Sequence, residues 1–89
     1  MRGNTAFALY ARFGKSEIYL SDICEEYFGI NIKTAQQKAR TYELPIPVFR
    51  MDESQRAPYL VKAEDLAEFI DKKHERAREE WLMVRGTNH

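Results

Sequence analysis

The chain has 89 residues, so at roughly 100–200 residues per domain it makes one small unit, whose 44% hydrophobic content is taken up by a modest core. Fourteen Lys and Arg balance fourteen Asp and Glu, which excludes a polybasic coat for nucleic acid or a charge-driven membrane anchor. One cysteine, Cys24, excludes a disulfide framework and a multi-cysteine zinc site.

Residues 5–13 (TAFALYARF) alternate as a strand would at Phe7, Leu9, Ala11 and Phe13, yet Ala6, Leu9, Tyr10 and Phe13 also keep helical spacing. Asn4 as a cap and Gly14 as a stop tilt the reading towards helix. The stretch is broken by Arg12 and too short for a signal peptide, and no run approaches the roughly 20 apolar residues of a membrane span. A cytoplasmic setting without membrane contact is expected. Residues 15–19 read as a short connection, extended at Ile18 and Tyr19.

Leu20, Ile23, Cys24, Tyr27 and Phe28 then fall on one helical face, with Ser21 as the expected N-cap and Gly29 as a left-handed stop. A second helix is expected over residues 31–42, capped by Asn31 and buried along Ile32, Ala35, Ala39 and Tyr42. Two short helices joined by a glycine-containing turn make a helix-turn-helix. Pro45, Pro47 and Pro58 forbid helix in the next block. Residues 46–51 and 59–62 have strand composition around a polar loop, which predicts a hairpin. From Ala63 one long helix is expected to about residue 85, followed by a frayed tail over 86–89. The fold class is therefore mainly α with a small β-hairpin, a winged helix-turn-helix with a long C-terminal helix.

In such a fold the second helix of the pair enters the DNA major groove and the hairpin meets the neighbouring backbone. Away from its apolar stripe, the 31–42 helix carries Lys33, Gln36, Gln37 and Arg40, flanked by Thr34, Lys38 and Thr41, with no acidic residue. Gln matches an adenine edge, Arg a guanine edge, and Thr a thymine methyl or a phosphate. On the wing, Arg50, Ser54, Gln55 and Arg56 are the candidate contacts. Residues 31–62 hold six basic against three acidic side chains, whereas residues 63–89 hold five against seven. Neutrality thus conceals a basic middle, placed where phosphates would be met.

The run from Asp22 to Phe28, Tyr42-Glu43-Leu44-Pro45, Val48-Phe49-Arg50-Met51, Ser54-Gln55-Arg56 and the run from Leu60 to Asp71 together resemble the pyocin activator (PrtN-like) regulators. The resemblance spans roughly residues 6–80. From Leu44 to Ile70 the chain is also similar to small excisionase and MerR-like winged-helix domains of mobile elements. The resemblance implies a phage- or island-borne regulator of transcription or excision, with DNA contacts at Lys33, Thr34, Gln36, Gln37, Arg40 and Arg56. The helix start Asn31-Ile32-Lys33-Thr34 departs from the family, so its sequence preference does not carry over.

Three readings stand side by side: a transcription activator touching RNA polymerase through acidic faces at Glu25-Glu26 or residues 68–80; an excisionase coating tandem sites beside a recombinase; and a protein-interaction module that binds no DNA. Cys24 reads as a core side chain, not a nucleophile. Asp71, His74 and Glu75 form a weak metal set whose expected role is charge pairing. Nothing points to an enzyme, a cofactor or a small-molecule substrate. Ala77, Trp81 and Val84 continue the face of Leu66 and Ile70 beyond the expected core. A second copy in a homodimer or head-to-tail oligomer covers them, or Trp81 folds back on Phe7, Leu9 or Tyr10, or both.

Overall fold

A computed structural model describes residues 2–87, and the side chains of residues 4–86. The ambiguous N-terminal pattern is a helix, α1 (Arg2–Phe13). Leu9 is buried with Ala6, Tyr10 and Phe13 packed beside it, whereas Phe7, which an alternating strand would turn inward with Leu9, is 73% exposed. The helix begins upstream of Asn4, so that residue lies inside it and is not its cap. Gly14 ends it at φ 76°, donating its N–H to the Tyr10 carbonyl at 2.8 Å.

Strand β1 (Glu17–Tyr19) runs directly into α2 (Leu20–Phe28). Leu20, Ile23 and Cys24 are buried, as their spacing requires. The expected Ser21 cap is absent because the helix starts two residues earlier, at Leu20, with Tyr19 in the cap position. Its first amide, that of Leu20, donates instead to the Tyr59 carbonyl at 2.9 Å. Gly29 at φ 70° stops α2, and Ile30 N–H reaches back to the Cys24 carbonyl. After three residues α3 (Ile32–Arg40) begins, with the Asn31 side chain accepting the Thr34 amide at 2.8 Å. Ala35 and Ala39 are buried. Tyr42 does not join that stripe: the helix ends at Arg40, Tyr42 takes a left-handed φ of 59°, and its ring is 93% exposed.

The expected hairpin is reduced to one bridge, Phe49 with Leu60, made by two backbone hydrogen bonds of 3.0 and 2.7 Å. In that antiparallel register the next hydrogen-bonded positions are Pro47 opposite Lys62 and Pro58 opposite Met51. Both prolines lack the N–H that would extend the ladder. Strand β2 (Leu60–Lys62) pairs instead with β1, Glu17 opposite Lys62, Ile18 opposite Val61 and Tyr19 opposite Leu60. The small antiparallel β element therefore ties the start of the chain to the segment before α4 (Ala63–Thr87).

The core joins Ile18, Leu20, Ile23, Cys24, Val61 and Leu66, and Phe28 meets Phe69 edge-to-face at 5.2 Å. Helix α1 runs antiparallel along α4: the Thr5 hydroxyl donates to Asp71 at 2.6 Å, and Tyr10 lies beside Glu64. This accounts for the first half of α4 only. Ile70 and Asp71 are its last half-buried residues, and residues 72–86 are exposed. A radius of gyration of 15.6 Å, against about 12 Å for a compact chain of this length, reflects that projection.

Candidate nucleic-acid interface

Two small residues, Ala35 and Ala39, seat α3 on α2, and every other side chain of the helix is at least partly accessible. At 100° per residue, opposite those alanines stand Lys33, Gln37 and Arg40, all exposed. Gln36 and Arg40 lean to one side, Thr34, Lys38 and Thr41 to the other. No acidic side chain lies on α3, and its N-terminal amides add positive potential.

The loop over residues 50–59 is organised by its own polar atoms. Asp52 accepts the Ser54 amide at 2.7 Å, the Ser54 hydroxyl accepts the Arg56 amide at 3.1 Å, and the Ser54 carbonyl accepts the Ala57 amide at 3.0 Å. Arg50 donates to that same carbonyl at 3.3 Å, and its guanidinium lies 5.1 Å from the Tyr59 ring centre. The loop is thereby shaped in advance, and Arg50 is aimed.

The two elements converge. Gln36 and Arg40 of α3 face Arg50, Gln55, Ala57 and Tyr59 across an open polar cleft. Four of the residues expected from the sequence meet there: Gln36, Arg40, Arg50 and Gln55. Lys33 and Gln37 extend the same surface along α3, and Arg56 is exposed on the loop. Among the described residues, none bonds or pairs with the side chains of Lys33, Gln37, Arg40, Gln55 or Arg56, which leaves their donors for an outside partner. Thr34 and Lys38 lie on the other flank, away from the cleft. Thr41 is occupied: its hydroxyl lies 3.3 Å from the carbonyls of Gln37 and Lys38 and is bonded to the Glu43 carboxylate, closing the end of α3. Ser54 serves the loop before any ligand.

Tyr59 is the residue that sequence reading missed. It sits directly across from Arg50, one step beyond the Phe49–Leu60 bridge, so only the register of that single bridge reveals the pair. Cys24 is buried, and desolvation pushes its thiol up, which suits a core side chain. No group of three or more His, Cys, Asp or Glu among the described residues is arranged to hold a metal ion. Asp71, expected to pair with cations, accepts from Thr5 instead, while Lys72 bridges Glu68 at 2.9 Å.

The fold-back of Trp81 does not occur. Trp81 is 58% exposed beyond the end of α1, with Arg85 stacked over it at 5.3 Å, and Ala77 and Val84 are exposed beside it. The distance follows from the antiparallel register of α1, which meets Asp71 through Thr5 and has only three more helical residues to offer. Of the described residues, no helix is long and apolar enough to cross a membrane.

Comparison with curated proteins and with solved structures gave no match. The model of one protein family, described as pyocin activator protein PrtN, matches residues 5–77. That span takes in α1, both strands, α2, α3, the loop and the packed half of α4, and the chain belongs to this family of regulators, which are not enzymes.

Proposed function

We propose that the protein is a sequence-specific DNA-binding regulator of the winged helix-turn-helix kind, and that it activates transcription. In this reading α2 and α3 are the helix-turn-helix, α3 lies in the major groove, and the loop over residues 50–59 is a short wing on the sugar-phosphate backbone. The observation that carries it is the convergence of Gln36 and Arg40 with Arg50 and Gln55 on one acid-free polar cleft. A helix that was merely solvated would need no preformed loop beside it.

The roles divide by position. Lys33 and Gln37, fully outward on α3, reach base edges, where Gln donates and accepts in the plane of adenine. Arg40, Arg50 and Arg56 lie towards or on the wing and neutralise phosphates, so binding weakens steeply with salt. Thr34 and Lys38 meet the opposite strand's backbone. The family's description names an activator, and this favours a promoter site over an array coated for excision.

The test is selection of bound duplexes from a random DNA pool, followed by titration of the selected site by fluorescence anisotropy. Nanomolar affinity for one motif, falling with salt, supports the reading. Absence of salt-dependent binding to any duplex leaves a protein-interaction module in its place. Footprinting on the source genome separates the two DNA roles: one protected site beside a promoter fits an activator, several phased sites beside an attachment site fit an excisionase.

A further inference from the structure

We propose that the chain forms a two-fold dimer through α4, the projecting end of each helix lying antiparallel in a groove of the other copy. The proposal does not depend on DNA binding.

Helix α1 gives out alongside residue 75 or so, and α4 continues to Thr87. At 1.5 Å per residue, about 18 Å of helix stands clear of the body. A helix of that length is marginal alone in water, and this one displays Trp81, Leu82 and Met83 at 58%, 48% and 69% exposure.

The body offers a matching groove. It lies between α4 and the segment over residues 45–47, floored by Pro45, Pro47 and Phe69 and rimmed by Lys72, Lys73 and Arg76. Steps of three and four residues carry the face of Phe69, Lys72 and Arg76 on to Glu79, Glu80 and Met83. Groove and projecting end are thus two parts of one helical face.

The charges along that face change sign in blocks. Asp65 and Glu68 are followed by Lys72, Lys73 and Arg76, then by Glu79 and Glu80. An antiparallel register centred on Arg76 sets Lys72 and Lys73 opposite Glu80 and Glu79, and Phe69 opposite Met83. A parallel pairing in the same register sets like charges together. Only Arg76 meets its own kind, at the axis; on either side of it the pattern is complementary to its own reverse, as a two-fold contact demands. It also favours a second copy over an unrelated acidic partner.

Trp81 continues the core-facing row of Leu66, Ile70 and Ala77, about 150° round the helix from the middle of the contact face at 3.6 residues per turn, so Met83 and not Trp81 is the exposed apolar side chain that this contact covers. The Lys72–Glu68 pair is exposed at both ends, and a lysine has donors for a second carboxylate.

Sedimentation equilibrium tests the proposal, with a mass of twice 10.5 kDa expected in the micromolar range. The double reversal K72E/K73E should weaken dimerisation at least tenfold. Adding E79K/E80K should restore it, which a folding defect would not allow. In a Cys24→Ala background, R76C should cross-link to itself under mild oxidation. A monomer at all concentrations up to 200 µM overturns the proposal. So does a dimer indifferent to charge reversal, which describes a contact between tips, or one in which K72C self-cross-links as readily as R76C, which describes a parallel pair.

Discussion

The Arg50 guanidinium lies 5.1 Å from the ring centre of Tyr59, its cross-strand neighbour, while the backbone carbonyl of the same tyrosine accepts the first amide of α2. One residue thus joins the loop to the helix pair. A cation over an aromatic face contributes about 0.5–1 kcal/mol where it is exposed, enough to favour one orientation of the arginine. Arg50→Ala should weaken DNA binding on all sequences alike and reduce the slope of log affinity against log salt by about 1. Tyr59→Leu keeps the arginine and the apolar bulk but releases its aim, so it should lower affinity several-fold with the slope unchanged. Anisotropy titrations between 50 and 200 mM salt separate the two effects.

Gln37 points directly away from Ala35 and Ala39, with Lys33 one turn before it. Gln37→Ala should relax preference at one base pair, at about 1–3 kcal/mol for a lost two-pronged contact. Arg56→Ala should leave preference intact and lower affinity uniformly. Competition by duplexes substituted at each position reads this out. If Gln37→Ala discriminates among them as the parent does, α3 does not read bases through that residue.

Much of this surface was legible because its determinants are local. The face from Leu20 to Phe28, the left-handed Gly29 and the Asn31 cap are set by residues within one turn of each other, and they appear where the sequence puts them. The β pairing was not legible. Glu17 and Lys62 stand 45 residues apart, and strands of three residues carry no alternation long enough to choose a partner. The expected hairpin is cut to a single bridge for a reason already present in the sequence: Pro47 and Pro58 block both extensions of Phe49–Leu60. Tyr42 kept helical spacing but fell after the last helical turn, and spacing does not report handedness. How far α4 outruns its cover depends on where α1 begins, a tertiary fact.

The turn between α2 and α3 fixes how α3 is presented, and two substitutions probe it. Asn31→Ala removes the acceptor of the Thr34 amide and should cost about 1 kcal/mol, a fall in Tm of about 4–8 °C for a domain of this size. Gly29→Ala meets no atom within 4 Å, so its penalty is wholly the left-handed backbone, roughly 1–2 kcal/mol. Thermal unfolding followed by circular dichroism measures both. A neutral Gly29→Ala would mean that the turn relaxes to another conformation.

Two carboxylates, the half-buried Glu17 and the exposed Glu26, give the fold an acid limit. Glu17 is held below the usual carboxylate range by the Ser16 hydroxyl and then by Lys62 at 3.0 Å, and Glu26 by the Arg12 guanidinium. Each binds its proton less readily in the folded chain than in the unfolded one. Their contribution is therefore complete above the unfolded value of about 4.3 and is lost as pH falls through the lower folded values. Lys62 is raised by Glu17, so its share is complete below about 10.4 and disappears only as pH climbs past the raised folded value. Tm should fall between pH 5 and pH 3. Glu17→Gln and Glu26→Gln should unfold at lower temperature than the parent at pH 6 and approach it at pH 3. Parallel Tm curves for parent and variants across that window would show that neither ion pair stabilises the packing of β1 on β2 or of α1 on α2.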